Sequence, residues 1–265
     1  MTVGGLDETG GVEHFRMLTW PDPKAAARGG PGTAGMACLR NMRAAAMALL
    51  ILLAAPEARA DGPPWPDTPV ARLEALAVLQ AFNADLLGHA SATLTLERWC
   101  GAHRLAQDGT IVAELDRTAA RPATAEQRAR LHVGADEMVA YRRVRLSCGG
   151  LVLSEADNWY VPGRLTPEMN RLLEETTTPF GRAVLDLGFR RELLGAELLW
   201  HPLPDGWEMR PSLPVAGGGA LAVPDRVLEH RAVLLTRDNV PFSEVRETYT
   251  AGVLGFSPPQ LSVHD

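Results

Sequence analysis

Lysine is almost absent from this chain of 265 residues: Lys24 stands near the N-terminus, and no lysine follows it. Residues 61–265 therefore cannot form a Schiff base, which excludes pyridoxal and other lysine-dependent mechanisms there. That region holds 20 Arg against 27 Asp and Glu, a formal charge of −7. Nucleic-acid binding needs clustered basic side chains on the phosphates, so this acidic balance argues against it. An anionic partner would have to be bound by arginine.

Long apolar runs are also scarce, and the longest covers residues 44–55. Arg40 and Arg43 precede this run, and residues 58–60 read Ala-Arg-Ala after it. A basic start, a short apolar run and a small-x-small site are typical of a secretory signal peptide. A run of this length is too short to cross a bilayer core of about 30 Å. We therefore predict cleavage near Ala60, a periplasmic or secreted protein, and no stable membrane span.

The N-terminal region leaves two alternatives open. The apolar run could instead form a buried core helix. Residues 1–41 are rich in Gly and Pro, so translation either starts at Met42 or produces an N-terminal extension. After the signal region we expect a Pro-rich linker over 61–69, one domain over 70–255 and a tail over 256–265.

Cysteine occurs three times, at Cys38, Cys100 and Cys148. The first precedes the predicted cleavage site, which leaves an even pair in an exported protein. Such a pair is a candidate disulfide, and two free buried thiols are the alternative.

Periodicity indicates helices at two places and a strand between them. Apolar residues recur at three- and four-residue steps from Leu73 to Leu86, which predicts a helix capped by Asp67 or Thr68. Residues 92–99 alternate and are predicted as a strand. Thr166, followed by a proline, predicts the start of a second helix. Residues 105–130 carry no clear pattern.

Two segments resemble each other, residues 141–155 and residues 230–244. Each reads as a strand, a tight turn and a second strand, with Cys-Gly-Gly in one turn and Arg-Asp-Asn in the other. Two similar hairpins, with helices between and before them, predict an α+β fold. We expect an antiparallel sheet of about six strands with helices packed on one side.

Familiar catalytic motifs are missing. The chain has no G-x-S-x-G, H-E-x-x-H, C-x-x-C or P-loop sequence, and its histidines are scattered without ligand spacing. We therefore predict neither a metal site nor a cofactor.

The arginine-rich stretch Arg142-Arg143-Val144-Arg145 stands out. One interpretation is a solvated sheet face with cross-strand Arg–Glu pairs. The other is that one arginine is buried and binds a substrate carboxylate through two hydrogen bonds. An acid on a neighbouring strand would then act on a hydroxyl or ether oxygen.

Several segments resemble chorismate pyruvate-lyase and the wider superfamily that contains the UTRA ligand-binding domain. They cover roughly residues 70–250, and the Pro-Phe-Gly-Arg turn is the most specific of them. The segments are Phe82–Asp85, Ser91–Cys100, Tyr141–Cys148, Tyr160–Pro162, Thr178–Arg182 and Ser243-Glu244. The resemblance implies a six-stranded antiparallel sheet, and removal of pyruvate from chorismate to leave 4-hydroxybenzoate without metal or cofactor.

The resemblance also implies roles for single residues. Arg143 matches the carboxylate-binding arginine and Glu244 the acid that meets the ring oxygen. Phe180 and Gly181 match a turn whose backbone touches the ligand, and Arg182 matches the arginine after it. The similarity between the two hairpins leaves open a shift of one residue in the assignment of these roles along the strand. Arg142 and Arg145 are therefore substitutes for Arg143.

Three function classes follow. The first is a lyase acting on chorismate or a related enolpyruvyl aromatic acid. Chorismate is made in the cytoplasm, so an exported UTRA-like binding protein for a small anionic aromatic ligand is the alternative. An envelope protein without a ligand is the third, and it leaves the arginine strand unexplained.

Overall fold

The computed structural model describes residues 65–210, 212–213 and 217–258. It confirms the α+β prediction: six antiparallel strands form one sheet in the order β1-β2-β3-β6-β5-β4. The strands are β1 (Ile111–Leu115), β2 (Ala140–Cys148), β3 (Leu151–Tyr160), β4 (Arg190–Leu198), β5 (Arg226–Leu235) and β6 (Pro241–Thr250). The predicted signal region and the last seven residues lie outside the described residues.

In the described part of the chain, five α-helices accompany the sheet. They are α1 (Pro69–Gly88), α2 (Ala92–Ala102), α3 (Ala125–Arg130), α4 (Pro167–Glu175) and α5 (Phe180–Ala183). Short 3-10 helices cover Pro162–Arg164, Leu185–Leu187, Trp207–Met209 and Ala251–Leu254. Among the described helices, none combines the length and the apolar composition that a membrane crossing requires.

Both predicted hairpins are confirmed, as β2–β3 and β5–β6. Gly149 and Gly150 take φ values of 55° and 87°, and Asn239 takes 62°. Turns of this kind need positive φ, which Gly accepts without strain and Asn tolerates. The inner strands of the two hairpins, β3 and β6, pair at the centre of the sheet.

The strand predicted over residues 92–99 is wrong, because these residues form helix α2. Ser91 caps it and accepts a hydrogen bond from the Leu94 amide at 3.3 Å. The buried positions include Leu96, Trp99 and Cys100, which follow helical spacing. An Ala-Thr-Leu-Thr-Leu run fits either period, and packing of the bulky side chains on the sheet decides for the helix.

Two predicted helix starts are confirmed. Thr68 caps α1 and Thr166 caps α4, each accepting a hydrogen bond from a backbone amide of its first turn. Just before α1, Trp65 is buried and its indole N–H donates to the Leu254 carbonyl at 3.1 Å. The end of the predicted linker therefore belongs to the folded domain.

The core lies between the sheet and α1, α2, α4 and α5. Leu79 and Phe82 of α1 pack with Val144 and Leu146 of β2. A second cluster joins α4 and α5 to β5 and β6. The short helix α3 contacts the opposite face, where its Gln127 side chain bonds Glu244 of β6.

Cys100 and Cys148 form a disulfide that joins α2 to the end of β2. Their Cα atoms are 6.3 Å apart, and both residues are fully buried. Of the two alternatives from the sequence, the structure contains the bridge.

Candidate functional site

A cavity lies between the helix-covered face of the sheet and the first turns of α2 and α5. Its free volume is about 40 Å³, which is room for a few water molecules. Apolar side chains supply most of its wall. The polar side chains that line it are Ser91, Thr93, Arg142, Asn158, Arg191 and Glu247.

Arg142 stands out among these polar groups. It is 4% exposed, and its guanidinium donates to the carbonyls of Leu173 at 3.3 Å and Thr178 at 3.1 Å. Its Nη1 atom is buried and has no hydrogen-bond partner among the described residues. Burial lowers the pKa of this arginine to about 10. The cavity therefore holds a cationic donor group that has no counter-ion among the residues the structure describes.

A second arginine, Arg191 of β4, is neutralised within the cavity. Its guanidinium forms an ion pair with Glu247 of β6, and the two side chains are 9% and 11% exposed. The Tyr249 hydroxyl donates to the same carboxylate at 3.3 Å. The Nε atom of Arg191 has no partner among the described residues.

The glycine at the start of α5 permits a close approach of two helices at the cavity wall. A Cβ atom at Gly181 would lie 2.6 Å from the Ser91 Oγ and 2.9 Å from the Thr93 Oγ1. Phe180, beside it, also lines the cavity. These two residues of the predicted ligand-contacting turn are therefore brought to the cavity.

Arg143 and Glu244, the two residues predicted to bind the carboxylate and to act as the acid, lie on the opposite face of the sheet. Successive side chains of a strand alternate between faces, and Arg142 and Val245 are the neighbours that face the cavity. Arg143 is partly exposed and lies 3.8 Å from Glu155. The structure thus separates both predicted residues from the cavity by the thickness of the sheet.

Glu244 is buried by contacts of its own. Its carboxylate accepts two hydrogen bonds from Arg130, at 2.8 and 2.9 Å, and one from Gln127 at 3.2 Å. Both partners belong to α3, and Arg130 is its last residue. These hydrogen bonds attach α3 to the sheet.

The remaining predicted residues, Arg145 and Arg182, form ion pairs away from the cavity. Arg145 pairs with Glu114 at 3.0 Å with both side chains exposed. Arg182 pairs with Glu97 of α2 beside an open surface groove. Neither guanidinium lines the cavity.

Sequence reasoning missed Arg191 and Glu247. Glu247 stands three residues after Glu244, and alternation along β6 puts the two on opposite faces. Choosing between them requires knowing which face the helices cover. Arg191 lies in β4, a strand that was not predicted from the sequence. Among the described residues there is no cluster suited to a metal ion.

His230 is fully buried on the same sheet face, near the Arg191–Glu247 pair. Its Nε2 atom lies 2.8 Å from the Asn83 Oδ1, and its Nδ1 has no partner among the described residues. Burial lowers the pKa of His230 to about 4, against the opposing influence of Glu247.

This histidine predicts a pH dependence of stability. As pH falls from about 6.5 to 4, the unfolded chain gains a proton on His230 that the native protein excludes, so stability falls on the order of 3 kcal/mol. Urea unfolding at stepped pH measures this loss. His230→Gln should show a smaller loss across the same range, and an identical loss in both proteins would contradict the assignment.

No known family model matches the chain. It is 57% identical to the uncharacterized protein y4mC of Sinorhizobium fredii (strain NBRC 101917 / NGR234) over 198 residues, 74% of this chain and 84% of that protein. The chain belongs to the same family as y4mC. The shared segment is long enough to hold most of the described domain.

Several solved structures are similar to the chain at low identity. PhnF from Mycobacterium smegmatis is 16% identical with a TM-score of 0.41, covering 66% of this chain and 71% of that one. The effector domain of the same protein is 15% identical with a TM-score of 0.39, and the match covers 66% of this chain and 96% of that domain. YydK from Bacillus subtilis, described as a possible transcriptional regulator, is 15% identical with a TM-score of 0.32. The match spans 61% of the YydK chain. TM-scores of this size carry no conclusion about function.

Proposed function

We propose that this protein is an exported, UTRA-like binding protein for a small anionic ligand, held in the cavity at Arg142. One observation carries the proposal: a buried guanidinium lines the cavity, and its Nη1 atom has no partner within the described part of the chain. Burying a charge without a counter-ion is costly, and a carboxylate that accepts hydrogen bonds from it offsets the cost.

The charges of the cavity wall favour a ligand with a single negative charge. Arg142 and Arg191 contribute two positive charges and Glu247 one negative charge, so one positive charge remains. The ion pair between Arg191 and Glu247 leaves Arg142 as the anchor. The free Nε of Arg191 would donate to a neutral oxygen at the far end of the ligand.

The apolar wall supports an aromatic ligand. Val144, Leu146, Phe180, Phe189 and Val245 all line the cavity. An aromatic ring needs more room than the few water molecules that the cavity holds in this structure, so its entry requires the cavity to widen. Its faces would then pack on these side chains, while polar groups at its two ends fix its orientation. A hydroxylated aromatic acid such as 4-hydroxybenzoate has this combination.

Chorismate lyase activity is the second candidate, because the cavity also holds a carboxylate, Glu247. Its carboxylate is held in an ion pair with the Arg191 guanidinium and is not free to act on a departing enolpyruvyl oxygen. This contact favours binding without turnover.

One experiment separates the two functions. The purified protein is incubated with chorismate, and 4-hydroxybenzoate and pyruvate are measured by mass and absorbance. Native mass spectrometry of a second sample, incubated with 4-hydroxybenzoate, detects the bound aromatic acid. We expect retained ligand and no product; product above the uncatalysed rate would establish the lyase instead, and neither product nor bound aromatic acid would contradict the proposal.

Export rests on the apolar segment after Arg43 and on the disulfide. Disulfides persist mainly in oxidising compartments outside the cytosol. Expression from Met42 in a Gram-negative host tests this part of the proposal. The protein should be recovered from the periplasm with Asp61 as its first residue, and unprocessed protein in the cytosol would contradict export.

A further inference from the structure

The two edges of the sheet differ in how they are protected. At one edge, β1 has five residues, and the amide of Ala113 donates to the Thr177 carbonyl outside the sheet at 2.9 Å. At the other edge, β4 has nine residues, and none of the described residues forms a ladder on its outer side. A long open edge strand is a template for pairing with another chain.

The side chains along β4 are apolar at its centre and charged towards its ends. Leu193 and Leu194 are 45% and 38% exposed, and Leu199 just beyond the strand is 39% exposed. Arg190 and Glu197, near the two ends, are both exposed. Opposite charges at the ends of one strand make it complementary to an antiparallel copy of itself.

A β-bulge at Leu194 sets the register that such a copy can adopt. Leu193 of β4 pairs with Ala232 of β5, and Gly195 pairs with Arg231. Leu194 between them is therefore left without a partner on β5. The bulge reverses the alternation: Arg191 and Leu193 face the helices before it, and Ala196 faces them after it.

We propose that β4 pairs antiparallel with β4 of a second copy of this chain, around a two-fold axis between Leu193 and Leu194. This register places Arg190 opposite Glu197 of the partner subunit, and Arg191 opposite Ala196 of the partner subunit. Because of the bulge, the residues of each pair lie on the same face of the joined sheet. A two-fold axis produces each contact twice, which closes the assembly as a dimer.

Three contributions would stabilise this pairing. Backbone hydrogen bonds would form along both copies of the strand, the exposed leucines would be buried at the axis, and two Arg190–Glu197 pairs would flank them. A bulge on an edge strand can also hinder pairing with foreign strands. The proposed register assigns it instead the role of selecting the chain's own copy.

Sedimentation velocity of the purified protein over a range of concentrations tests the dimer. Glu197→Arg should weaken the dimer about tenfold or more, because Arg190 then meets a like charge at two places. The monomer should tolerate this change, because Glu197 lies opposite Glu229 of β5 in the sheet. An arginine at this position would face a carboxylate instead of a like charge. Adding Arg190→Glu should restore the dimer. Glu175→Arg, the same charge reversal on exposed α4, is the matched control.

Each outcome decides the proposal. A dimer that Glu197→Arg weakens and the double variant restores supports it. A monomeric parent at all concentrations overturns it and leaves the bulge as protection of the edge. A dimer that responds equally to Glu197→Arg and Glu175→Arg also overturns it, because another surface then forms the interface. Ligand binding at the cavity does not enter these readouts.

Discussion

Glu247→Gln is expected to lower the free energy of unfolding by about 3 kcal/mol or more. The change removes the counter-charge of Arg191, whose side chain is only 9% exposed and whose Nε already lacks a partner in the described structure. Breaking a buried ion pair from one side leaves an uncompensated interior charge, which is the costly case. Chemical denaturation of the parent and the variant measures the difference.

Two further variants test the cause of that loss. Arg191→Met with Glu247→Leu removes both charges while keeping similar volume, and should recover most of the lost stability. Glu168→Gln breaks an exposed ion pair with Arg171 on α4 and should change stability far less. If Glu247→Gln costs no more than Glu168→Gln, the pair does not stabilise the core as we describe.

Removal of the disulfide should have a comparable effect. The bridge spans a sequence separation of 48 residues, and closing such a loop is worth about 4 kcal/mol on the chain-entropy model. Cys100→Ala with Cys148→Ala should therefore lower the free energy of unfolding by about this amount. Because the bridge ties α2 to the sheet, the loss should also lower hydrogen-exchange protection of α2.

Reduction of the parent provides the matched control, since it breaks the bridge without changing a side chain. The reduced parent and the double variant should unfold at similar denaturant concentrations. Peptide mapping after alkylation, without reductant, should find both cysteines unmodified. Alkylation of both in the native protein, or a double variant as stable as the oxidised parent, would contradict this prediction.

The hairpins could be predicted because their information is local. Gly149 and Gly150, and Asn239 in the second turn, are residue types that accept positive φ. The strands beside them alternate with period two, and the helix caps Thr68 and Thr166 are equally local. Fold class followed from these elements and their order.

Helix α2 could not be predicted because its determinants are distant in sequence. Its Trp99 donates its indole N–H to the Val253 carbonyl at 2.9 Å, and Cys100 is bridged to Cys148. These tertiary contacts, together with packing of Leu96 on the sheet, override a pattern that also fits a strand.

The sequence prediction put the site on β2 and β6, and the cavity lies against the opposite face of these strands from Arg143 and Glu244. Strand β2 carries arginines on both faces, and β6 carries glutamates on both. Alternation tells that Arg142 and Arg143 point in opposite directions, yet only the position of the covering helices tells which one is buried. Phe180 and Gly181, which were predicted to contact the ligand, both line the cavity, and the position of their turn does not depend on strand phase.

Two neighbouring arginines of β2 give the most direct test of ligand binding at the cavity. Isothermal titration with 4-hydroxybenzoate compares the parent, Arg142→Lys and Arg143→Lys. Lysine keeps the charge but lacks the planar fork, so we expect Arg142→Lys to weaken binding about tenfold or more. Arg143→Lys, on the opposite face, should bind like the parent. Loss of binding in Arg143→Lys but not in Arg142→Lys, or equal affinity in all three proteins, would contradict the assignment of the site to the cavity.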